Sequence, residues 1–322
     1  MITGEKYMLL SFEQISEITF GAVRIENTDG QMRFYKYSDE VISAFGARKD
    51  TFGARAATTT GVRFDFHTNS KRLKIEVEEP KKFEIYVDGL LRYTMRDTAS
   101  LSVDIATPRG QALDEARITV YFPSHSVGKF KSLELDDGAY VRPHKFDKKI
   151  LFMGDSITQG FEAKFDSLSY ANKVSRHFNA DSIIQGVGGA CFFPETLEFV
   201  PIDFDFVVVA YGTNDFNRYG SVADFKTPLS EYMSKLSKLY GDKKIFVISP
   251  LWRKLNTPEE YAELERYREE IESEAQKYGF INVDGSRLVP PVESLYTDGL
   301  HPNDTGFSLY AENLIKVIES NL

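Results

Sequence analysis

The sequence has few of the residues and segments that mark several large protein classes. It contains one cysteine, Cys191, among 322 residues, so no disulfide can form within the chain and no thiolate metal site is indicated. No apolar run approaches the roughly 20 residues that a membrane-spanning helix needs. The formal net charge is −9 and long runs of Lys or Arg are missing, which argues against nucleic acid or an anionic membrane as a partner.

The N-terminal stretch MITGEKYMLLSFEQ has neither a basic n-region nor a sustained apolar core. A secretory signal peptide has both, so we expect a cytoplasmic protein. No His, Asp or Glu spacing typical of a metal site stands out either, and we expect no metal and no cofactor.

The first part of the chain, residues 1–140, has the pattern of an all-β domain. Apolar and polar residues alternate in the short runs VRFDFHT, RLKIEVE, KKFEIYVDG and ARITVYF, which are separated by Asn-Ser, Glu-Pro and Asp-Gly turns. Alternation with period two is typical of antiparallel strands with one buried face. The sequence therefore predicts a β-sandwich, of jelly-roll type, with no long helix in this part.

The pattern changes after the linker DDGAYVRPHKFDKK. Over residues 148–322, continuous apolar strands such as KKILFM and DFVVVA alternate with amphipathic helices, each closed by glycine or proline signals. Such alternation predicts an α/β domain with a flavodoxin-like parallel sheet of about five strands.

Reactive residue types follow the predicted strands of this second domain. Ser156 lies in GDSITQG after the first strand, Gly189 in GVGG after the second, and Asn214 in GTND after the third. Asp298 and His301 lie in DGLHP, before the last helix. Because the carboxyl ends of parallel strands meet at one edge, we expect these segments to converge there.

These residue types suit acyl transfer through a serine nucleophile. The Ser156 hydroxyl needs a base to remove its proton, and His301 is the candidate, with Asp298 to orient the imidazole. A tetrahedral intermediate also needs donors for its oxyanion. The backbone N–H groups of Ser156 and Gly189 and the side-chain amide of Asn214 are the candidates.

Each segment alone has a plainer interpretation. Asp155-Ser156 could cap a helix, the glycines could form a tight turn or a phosphate cradle, and GTND could be a capped turn. His301 before a proline could be a surface loop residue. The four segments together, in this order and each at a strand end, favour the catalytic interpretation.

On these motifs, the chain resembles the SGNH/GDSL hydrolase superfamily over residues 148–322. GDSITQG, GVGG, GTND and DGLHP stand in the order of that family's blocks. The resemblance implies a serine esterase with Ser156, Asp298 and His301 as the catalytic triad, and with Ser156, Gly189 and Asn214 as the oxyanion hole. One position departs from the pattern: the second block often begins with Asn, where this chain has Ile184.

A β-sandwich before an SGNH domain is similar to the arrangement in carbohydrate esterase family 2 deacetylases. It also resembles a two-domain group of GDSL enzymes that includes an acyltransferase. The resemblance implies a substrate with a small acyl group, acetyl above all, on a sugar or glycoside. For the substrate pocket we single out Asp155, Phe192, Trp252 and Arg253, the last two because they follow the fourth strand at the same edge.

Several functions remain open at this point. The first is hydrolysis of small acyl esters, and the second is acyl transfer from the same acyl-enzyme to an alcohol. A broader GDSL lipase or esterase, and a carbohydrate-binding protein without catalysis, are the others. The expected partner is a small or oligosaccharide ester, and association through the β-sandwich is left open.

Overall fold

The computed structural model describes residues 6–322, and these form two compact units. One unit comprises Thr58–Lys145 and the described residues up to Lys36, and the other comprises Tyr37–Ala57 and Phe146–Leu322. The predicted domain limits, 1–140 and 148–322, thus differ from these units mainly in the segment Tyr37–Ala57. The first five residues, part of the stretch inspected for a targeting signal, lie outside the described residues.

The first unit, the β unit, is built almost entirely of antiparallel strands. They form two sheets, in the orders β3-β4-β11-β6-β9 and β12-β5-β10-β7-β8, with β1 beside β11 and β2 beside β5. Its elements are β1 (Tyr7–Leu9), α1 (Phe12–Glu17), β2 (Thr19–Phe20), β3 (Arg24–Thr28), β4 (Gln31–Tyr35), β5 (Arg63–Thr68), β6 (Arg72–Val77), β7 (Glu84–Val87), β8 (Leu90–Thr94), β9 (Ser100–Asp104), β10 (Ala116–Tyr121), β11 (Phe130–Asp136) and β12 (Arg142–Pro143).

Alternating side chains of both sheets meet in one apolar core. Phe34 of one sheet and Phe64 of the other have ring centroids 5.7 Å apart, and both rings lie edge-on to Phe122 at 4.9 Å. Edge-to-face packing adds about 0.5–1.5 kcal/mol per pair to the gain from burial. The predicted antiparallel β-rich domain is confirmed, and its jelly-roll connectivity stays a prediction.

A pair of helices interrupts the β unit and belongs to the second unit. They are α2 (Asp39–Arg48) and α3 (Asp50–Ala56). Ser38 caps α2 by accepting a hydrogen bond from the Val41 N–H, and Val41 and Phe45 face inward. The sequence predicts no long helix before residue 140, and these two have ten and seven residues. These helices are short, and they are stabilised by packing against distant segments, as the Tyr37 hydroxyl donating to the Gln185 carbonyl at 2.9 Å shows.

The rest of the second unit, the α/β unit, contains a five-stranded sheet in the order β14-β13-β15-β16-β17 in which all neighbouring strands are parallel. This order is flavodoxin-like, so the predicted fold is confirmed. Its elements are β13 (Lys148–Gly154), α4 (Ser156–Gln159), α5 (Tyr170–His177), β14 (Ala180–Gly186), β15 (Phe206–Ala210), α6 (Asp215–Arg218), α7 (Val222–Tyr240), β16 (Lys244–Ile248), α8 (Pro258–Lys277), β17 (Ile281–Val283) and α9 (Asp304–Glu319).

Local signals in the sequence explain where the long helices of this unit begin. Thr257 and Glu260 form a reciprocal capping box at the start of α8, and Pro258 occupies its first turn. Asn303 caps α9 by accepting hydrogen bonds from the N–H groups of Thr305 and Gly306. Asn303 lies two residues after His301, and its backbone and side-chain N–H groups donate to the carbonyls of Leu295 and Ser294. Within residues 6–322 we find no helix with the length and apolar character that a membrane crossing requires.

Candidate active site

The predicted site segments follow the carboxyl ends of adjacent parallel strands. β13 lies between β14 and β15 in the sheet, so the chain crosses to opposite sides after β13 and after β14. Ligands of open α/β sheets bind at such a reversal point. Ser156 lies two residues after the end of β13, the turn with Gly188 and Gly189 follows β14, and Asn214 follows β15. The fold thus collects three of the four predicted segments at one edge.

Ser156 is held in a sharp strand-to-helix turn. Asp155 caps α4 with its carboxylate, which accepts a hydrogen bond from the Ile157 N–H at 2.9 Å. Ser156 is the first residue of that helix, so its N–H is one of those without a helical acceptor. Gly154 before the turn has no room for a side chain, since a Cβ there would lie 2.7 Å from the Ala210 carbonyl oxygen. The turn therefore depends on the GDS tripeptide.

Ser156, His301 and Asp298 form one continuous hydrogen-bonded chain. The Ser156 Oγ lies 2.8 Å from His301 Nε2, and His301 Nδ1 lies 2.7 Å from Asp298 Oδ2. Since an ionised carboxylate only accepts hydrogen bonds, Nδ1 carries the proton of a neutral imidazole and Nε2 is free to accept the serine proton. The arrangement can activate a serine hydroxyl.

The carboxylate of Asp298 is kept ionised by its own loop. Partial burial raises its pKa, but hydrogen bonds from the backbone and ring of His301 and from the Leu300 N–H outweigh that effect and hold the pKa below its usual value. Oδ1 accepts the N–H groups of Leu300 at 3.0 Å and His301 at 2.8 Å. The spacing DGLHP therefore lets one turn present both members of the pair.

The ring of His301 is supported on its face as well as at its edge. Phe161 lies 5.7 Å from it, centroid to centroid, with the two planes inclined by 28°. This aromatic contact limits rotation of the imidazole about its own hydrogen bonds. Phe161 was not singled out from the sequence, because it lies in an irregular loop after α4 without periodicity.

The two other predicted oxyanion donors lie on the neighbouring loops. Gly189 has a φ of +86°, in the left-handed region, and a Cβ there would come within 2.7 Å of the Phe52 ring. The Asn214 amide donates to the Ala190 carbonyl at 3.1 Å and to Asp155 Oδ2 at 3.3 Å. Asp155 and Ala190 thus fix the position of the amide beside the nucleophile turn.

Two buried carboxylates support these loops. Burial raises the pKa of Asp155 to about 6, although the Ile157 N–H and the nearby His301 lower it. Burial likewise raises the pKa of Asp215 to about 7. Asp215 accepts the N–H of Phe192 at 3.1 Å and that of Gly212 at 3.0 Å, and so connects the loop after β14 to the loop after β15. We did not predict this role, although Asp215 is the last residue of GTND.

The predicted pocket residues do not all reach the site. Phe192 is fully buried, with its ring 5.4 Å from Tyr211, 5.1 Å from Tyr232 and 5.9 Å from Phe225. It packs in an aromatic core, so the expectation that it walls an acyl pocket is corrected. In a glycine-rich turn no periodicity tells which way a side chain faces.

Trp252 and Arg253 are half-buried after β16. The Trp252 ring packs on Tyr296 at 5.0 Å. Arg253 donates through Nη1 to the carbonyl of Thr213 at 3.1 Å and lies 5.4 Å from the Phe216 ring centroid. Arg253 is therefore next to the Asn214 loop, whereas Trp252 also contributes to core packing.

The helix α3 brings two residues to the glycine turn that the sequence did not reveal, whereas Arg48 of the neighbouring helix α2 has other partners. Arg55 donates through Nη1 to the Gly188 carbonyl at 2.6 Å, and Phe52 lies against Gly189. Arg48 pairs with Glu195, and its guanidinium lies 4.7 Å from the Phe193 ring. Nothing in the local sequence of the helices points to partners more than a hundred residues away.

Known proteins share this architecture. Residues 152–309 match the family model described as the GDSL-like lipase/acylhydrolase family. The isoamyl acetate-hydrolyzing esterase of Schizosaccharomyces pombe is 26% identical over 195 residues, which cover 54% of this chain and 76% of that protein.

Two solved structures extend the similarity to both units. The salicylyl acyltransferase SsfX3 from a tetracycline biosynthetic pathway aligns with a TM-score of 0.81 and 19% identity, over 99% of this chain and 98% of the other. A family two carbohydrate esterase from Cellvibrio japonicus aligns with a TM-score of 0.69 and 14% identity, over 98% of each chain. At these identities the similarity concerns the fold. Residues 152–309 thus resemble a GDSL-like lipase/acylhydrolase domain, and this match, together with the esterase relative, supports an ester-hydrolase activity for the protein.

Proposed function

We propose that the protein removes small acyl groups, acetyl above all, from a carbohydrate or glycoside through an acyl-enzyme on Ser156. The observation that carries the proposal is the chain of hydrogen bonds from Ser156 Oγ through the imidazole of His301 to Asp298, at 2.8 and 2.7 Å. A nucleophile, a base and a group that orients the base are the elements this chemistry requires.

In the first half-reaction Ser156 Oγ attacks the ester carbonyl carbon while His301 Nε2 takes its proton. Asp298 stabilises the imidazolium that forms. The oxyanion receives hydrogen bonds from the N–H groups of Ser156 and Gly189 and from the Asn214 amide. When the intermediate collapses, the imidazolium returns the proton to the leaving alcohol, and the acyl group stays on Ser156.

In the second half-reaction a water molecule attacks the acyl-enzyme. His301 removes its proton and the tetrahedral intermediate again collapses. The imidazolium returns the proton to Ser156 Oγ as the bond to the serine breaks and the carboxylic acid is released. Asn214 reaches an oxyanion by giving up its longer hydrogen bond, the one of 3.3 Å to Asp155. That exchange leaves the Ala190 contact to hold the amide in place.

The proposed substrate class is supported by relatives and by two residues of the loop after β16. An esterase that hydrolyses isoamyl acetate and a family of carbohydrate esterases are among the similar proteins. Trp252 presents an aromatic ring and Arg253 a guanidinium next to the Asn214 loop. An aromatic ring and a polar fork together suit the apolar face and the hydroxyl groups of a sugar.

The proposal is tested by replacing Ser156 with alanine and measuring turnover of an aryl acetate. Ser156→Ala should lower kcat by roughly 10⁴-fold or more while the thermal transition stays close to that of the wild type. Cys191→Ala is the matched control, because burial raises the pKa of the Cys191 thiol and makes it a poor nucleophile. Undiminished turnover by Ser156→Ala would contradict the proposal.

The acyl specificity needs a separate measurement. Aryl acetate, butyrate and octanoate should be hydrolysed with falling kcat/KM, and an acetylated xylo-oligosaccharide should be deacetylated. A preference for octanoate would point instead to a broader GDSL lipase or esterase.

Acyl transfer is the second candidate, because an alcohol can replace water at the acyl-enzyme. The similarity to the salicylyl acyltransferase over nearly the full length of both chains favours including it. Products formed from the aryl acetate with added sugars or polyols distinguish the two: transfer gives acetylated acceptor, and hydrolysis gives acetate alone.

A further inference from the structure

We propose that Arg55 is a positioning residue that aims the oxyanion-hole N–H of Gly189 through the preceding carbonyl. This inference rests on the proposed function and extends it to a residue outside residues 152–309, the part of the chain that matches the family. Arg55 lies on α3, which belongs to the α/β unit although it comes long before the nucleophile in sequence.

The central contact is a short hydrogen bond to a single peptide group. Arg55 Nη1 lies 2.6 Å from the carbonyl oxygen of Gly188. A trans peptide is planar, so the Gly188 C=O and the Gly189 N–H belong to one rigid unit and point in opposite directions. By fixing the carbonyl, Arg55 therefore also fixes the direction of the N–H.

The other side of Gly188 is held as well. Its N–H donates to Gln159 Oε1 at 2.7 Å, and Gln159 ends the short helix that Ser156 begins. The two peptide groups that flank Gly188 are thus tied to Arg55 on one side and to the nucleophile helix on the other. Without the arginine, the Gly188 N–H would still donate to Gln159 Oε1, but the peptide between the two flexible glycines would lose its charged partner.

The positive charge of Arg55, like its position, favours the hydrogen bond that the Gly189 N–H donates to an oxyanion. A guanidinium that donates to a carbonyl forms a charge-assisted hydrogen bond, which polarises the amide. A polarised amide is a stronger donor at its N–H, because hydrogen bonds in a chain reinforce one another. The Gly189 N–H should then interact more strongly with an oxyanion than with a neutral ester oxygen.

The packing leaves the guanidinium little freedom to move away. A Cβ on Gly188 would lie 3.2 Å from Arg55 Nη1, and a Cβ on Gly189 would lie 3.4 Å from it. The guanidinium carbon also lies 5.4 Å from the centroid of Phe161, the ring that stacks on His301. One side chain therefore contacts both the oxyanion loop and the aromatic support of the base.

Arg48, on the neighbouring helix α2, provides the comparison. It belongs to the same excursion of the chain, but its side chain contacts Glu195 and the ring of Phe193 rather than the Gly188–Gly189 peptide. An Arg48 variant therefore shows how far kcat and inhibition change when an arginine is lost from α2 or α3 without loss of the contact to the Gly188–Gly189 peptide.

The test compares Arg55→Gln with Arg48→Gln in the full chain, using aryl acetate turnover and inhibition by an arylboronic acid. A boronic acid forms a tetrahedral anion on the serine and so requires the oxyanion hole, as the transition state does. Arg55→Gln should lower kcat roughly 10- to 100-fold, since small misplacements of catalytic groups have effects of this size. KM should stay within about threefold, because the contact acts in the transition state.

The boronate inhibition constant of Arg55→Gln should rise by the same factor as kcat/KM falls. Arg48→Gln should resemble the wild type in both measurements. If Arg55→Gln resembles Arg48→Gln, or loses kcat/KM with an unchanged boronate constant, the proposal is overturned. If Ser156→Ala turns over the ester like the wild type, the proposed function itself is refuted. If only the comparison of the Arg55 and Arg48 variants fails, the proposed function stands and the role of Arg55 is refuted.

Thermal unfolding shows whether Arg55→Gln is folded. Should it be unfolded, Arg55→Lys takes its place, because it keeps the charge and most of the length. An ammonium lacks the planar fork needed to contact the Gly188 carbonyl and the face of Phe161 together. Arg55→Lys should therefore lose about tenfold in kcat by the same misplacement, and a kcat equal to that of the wild type would overturn the proposal.

Discussion

One sheet of the β unit and the parallel sheet of the α/β unit differ in how many faces they bury. In β6 of the β unit, the side chains of Leu73, Ile75 and Val77 are buried, whereas the residues between them are partly exposed. In β15 of the α/β unit, the residues from Phe206 to Val209 are all buried, so both faces of the strand are covered. The sheet that contains β6 thus has one buried face, whereas the parallel sheet is covered on both; in the other sheet of the β unit, β5 and β10 are also buried almost throughout.

This difference decides where reactive groups can lie. β15, which is buried on both faces, carries only apolar side chains, and the polar side chains of the predicted site lie beyond the strand ends. Ser156 and Asn214 lie just past such ends. The β unit has polar positions along its strands, where they form ion pairs such as Lys74 with Glu134 at 3.0 Å. We therefore expect changes in the β unit to alter stability and changes at the parallel strand ends to alter turnover.

The largest expected effect is on the stability of the β unit. Phe64 is fully buried, and its ring packs against Phe34, Phe122 and Phe130. Phe64→Ala should lower the free energy of unfolding by about 3–5 kcal/mol, because it removes a large side chain and leaves a cavity. Denaturant unfolding, followed by circular dichroism, measures the loss.

The same variant also tests the separation of roles. Aryl acetate turnover per folded molecule should stay close to that of the wild type under native conditions, since the triad belongs to the other unit. A loss of kcat without a loss of stability would contradict the expectation that the β unit affects stability and the α/β unit affects turnover.

The next effect concerns turnover. Asn214→Ala should lower kcat roughly 10²–10³-fold, the usual result of removing one oxyanion donor. Asn69→Ala is the matched control in the β unit, where the side-chain Oδ1 of Asn69 accepts the Tyr140 N–H at 3.0 Å in an exposed loop. Equal kcat values for the two variants, from steady-state kinetics with an aryl acetate, would refute the assignment of Asn214.

The smallest expected effect is a change in the pH dependence of stability. Burial raises the pKa of Asp215 from 3.8 to about 7, so between these values the folded protein binds a proton that the unfolded chain has released. The stability from this proton is complete below the lower value and is lost as the pH rises through about 7. Asp215→Asn cannot titrate and should lack this decline.

Thermal unfolding at pH 5 and pH 8 checks the sign. The melting temperature of the wild type minus that of Asp215→Asn should be larger at the lower pH. A difference that is constant, or larger at pH 8, would show that Asp215 is ionised in the fold throughout this range.

Much of the fold and the site follows from local patterns. The five parallel strands were predicted because each is a continuous apolar run closed by a turn, and Thr257, Pro258 and Gly279 bracket the long helix α8. Ser156 was predicted because it stands in a short motif at a strand end, and His301 because it stands in a short motif before the last helix. In both cases the determining neighbours are a few residues away in sequence.

The features that escaped prediction depend on distant contacts. The helices α2 and α3 are short, and the partners of their side chains lie far away in sequence: Arg48 pairs with Glu195, and Arg55 donates to Gly188. Phe192 was placed in the pocket because its neighbours are glycines and aromatics, but its orientation depends on Tyr211, Phe225 and Tyr232. A single sequence carries no periodic signal for such pairings.

The excursion Tyr37–Ala57 also has a consequence for biosynthesis. Arg55 and Gly188 are separated by 133 positions, so during translation the arginine leaves the ribosome long before its partner has been made. A long-range contact of this kind forms late and slows folding. Because residues 37–57 belong to the α/β unit, no single division of the chain separates the two units. A fragment of residues 146–322 alone would contain the proposed triad but lack Arg55. Transfer of the α/β unit into another protein therefore requires residues 146–322 together with residues 37–57, and the latter segment must be joined at both of its ends.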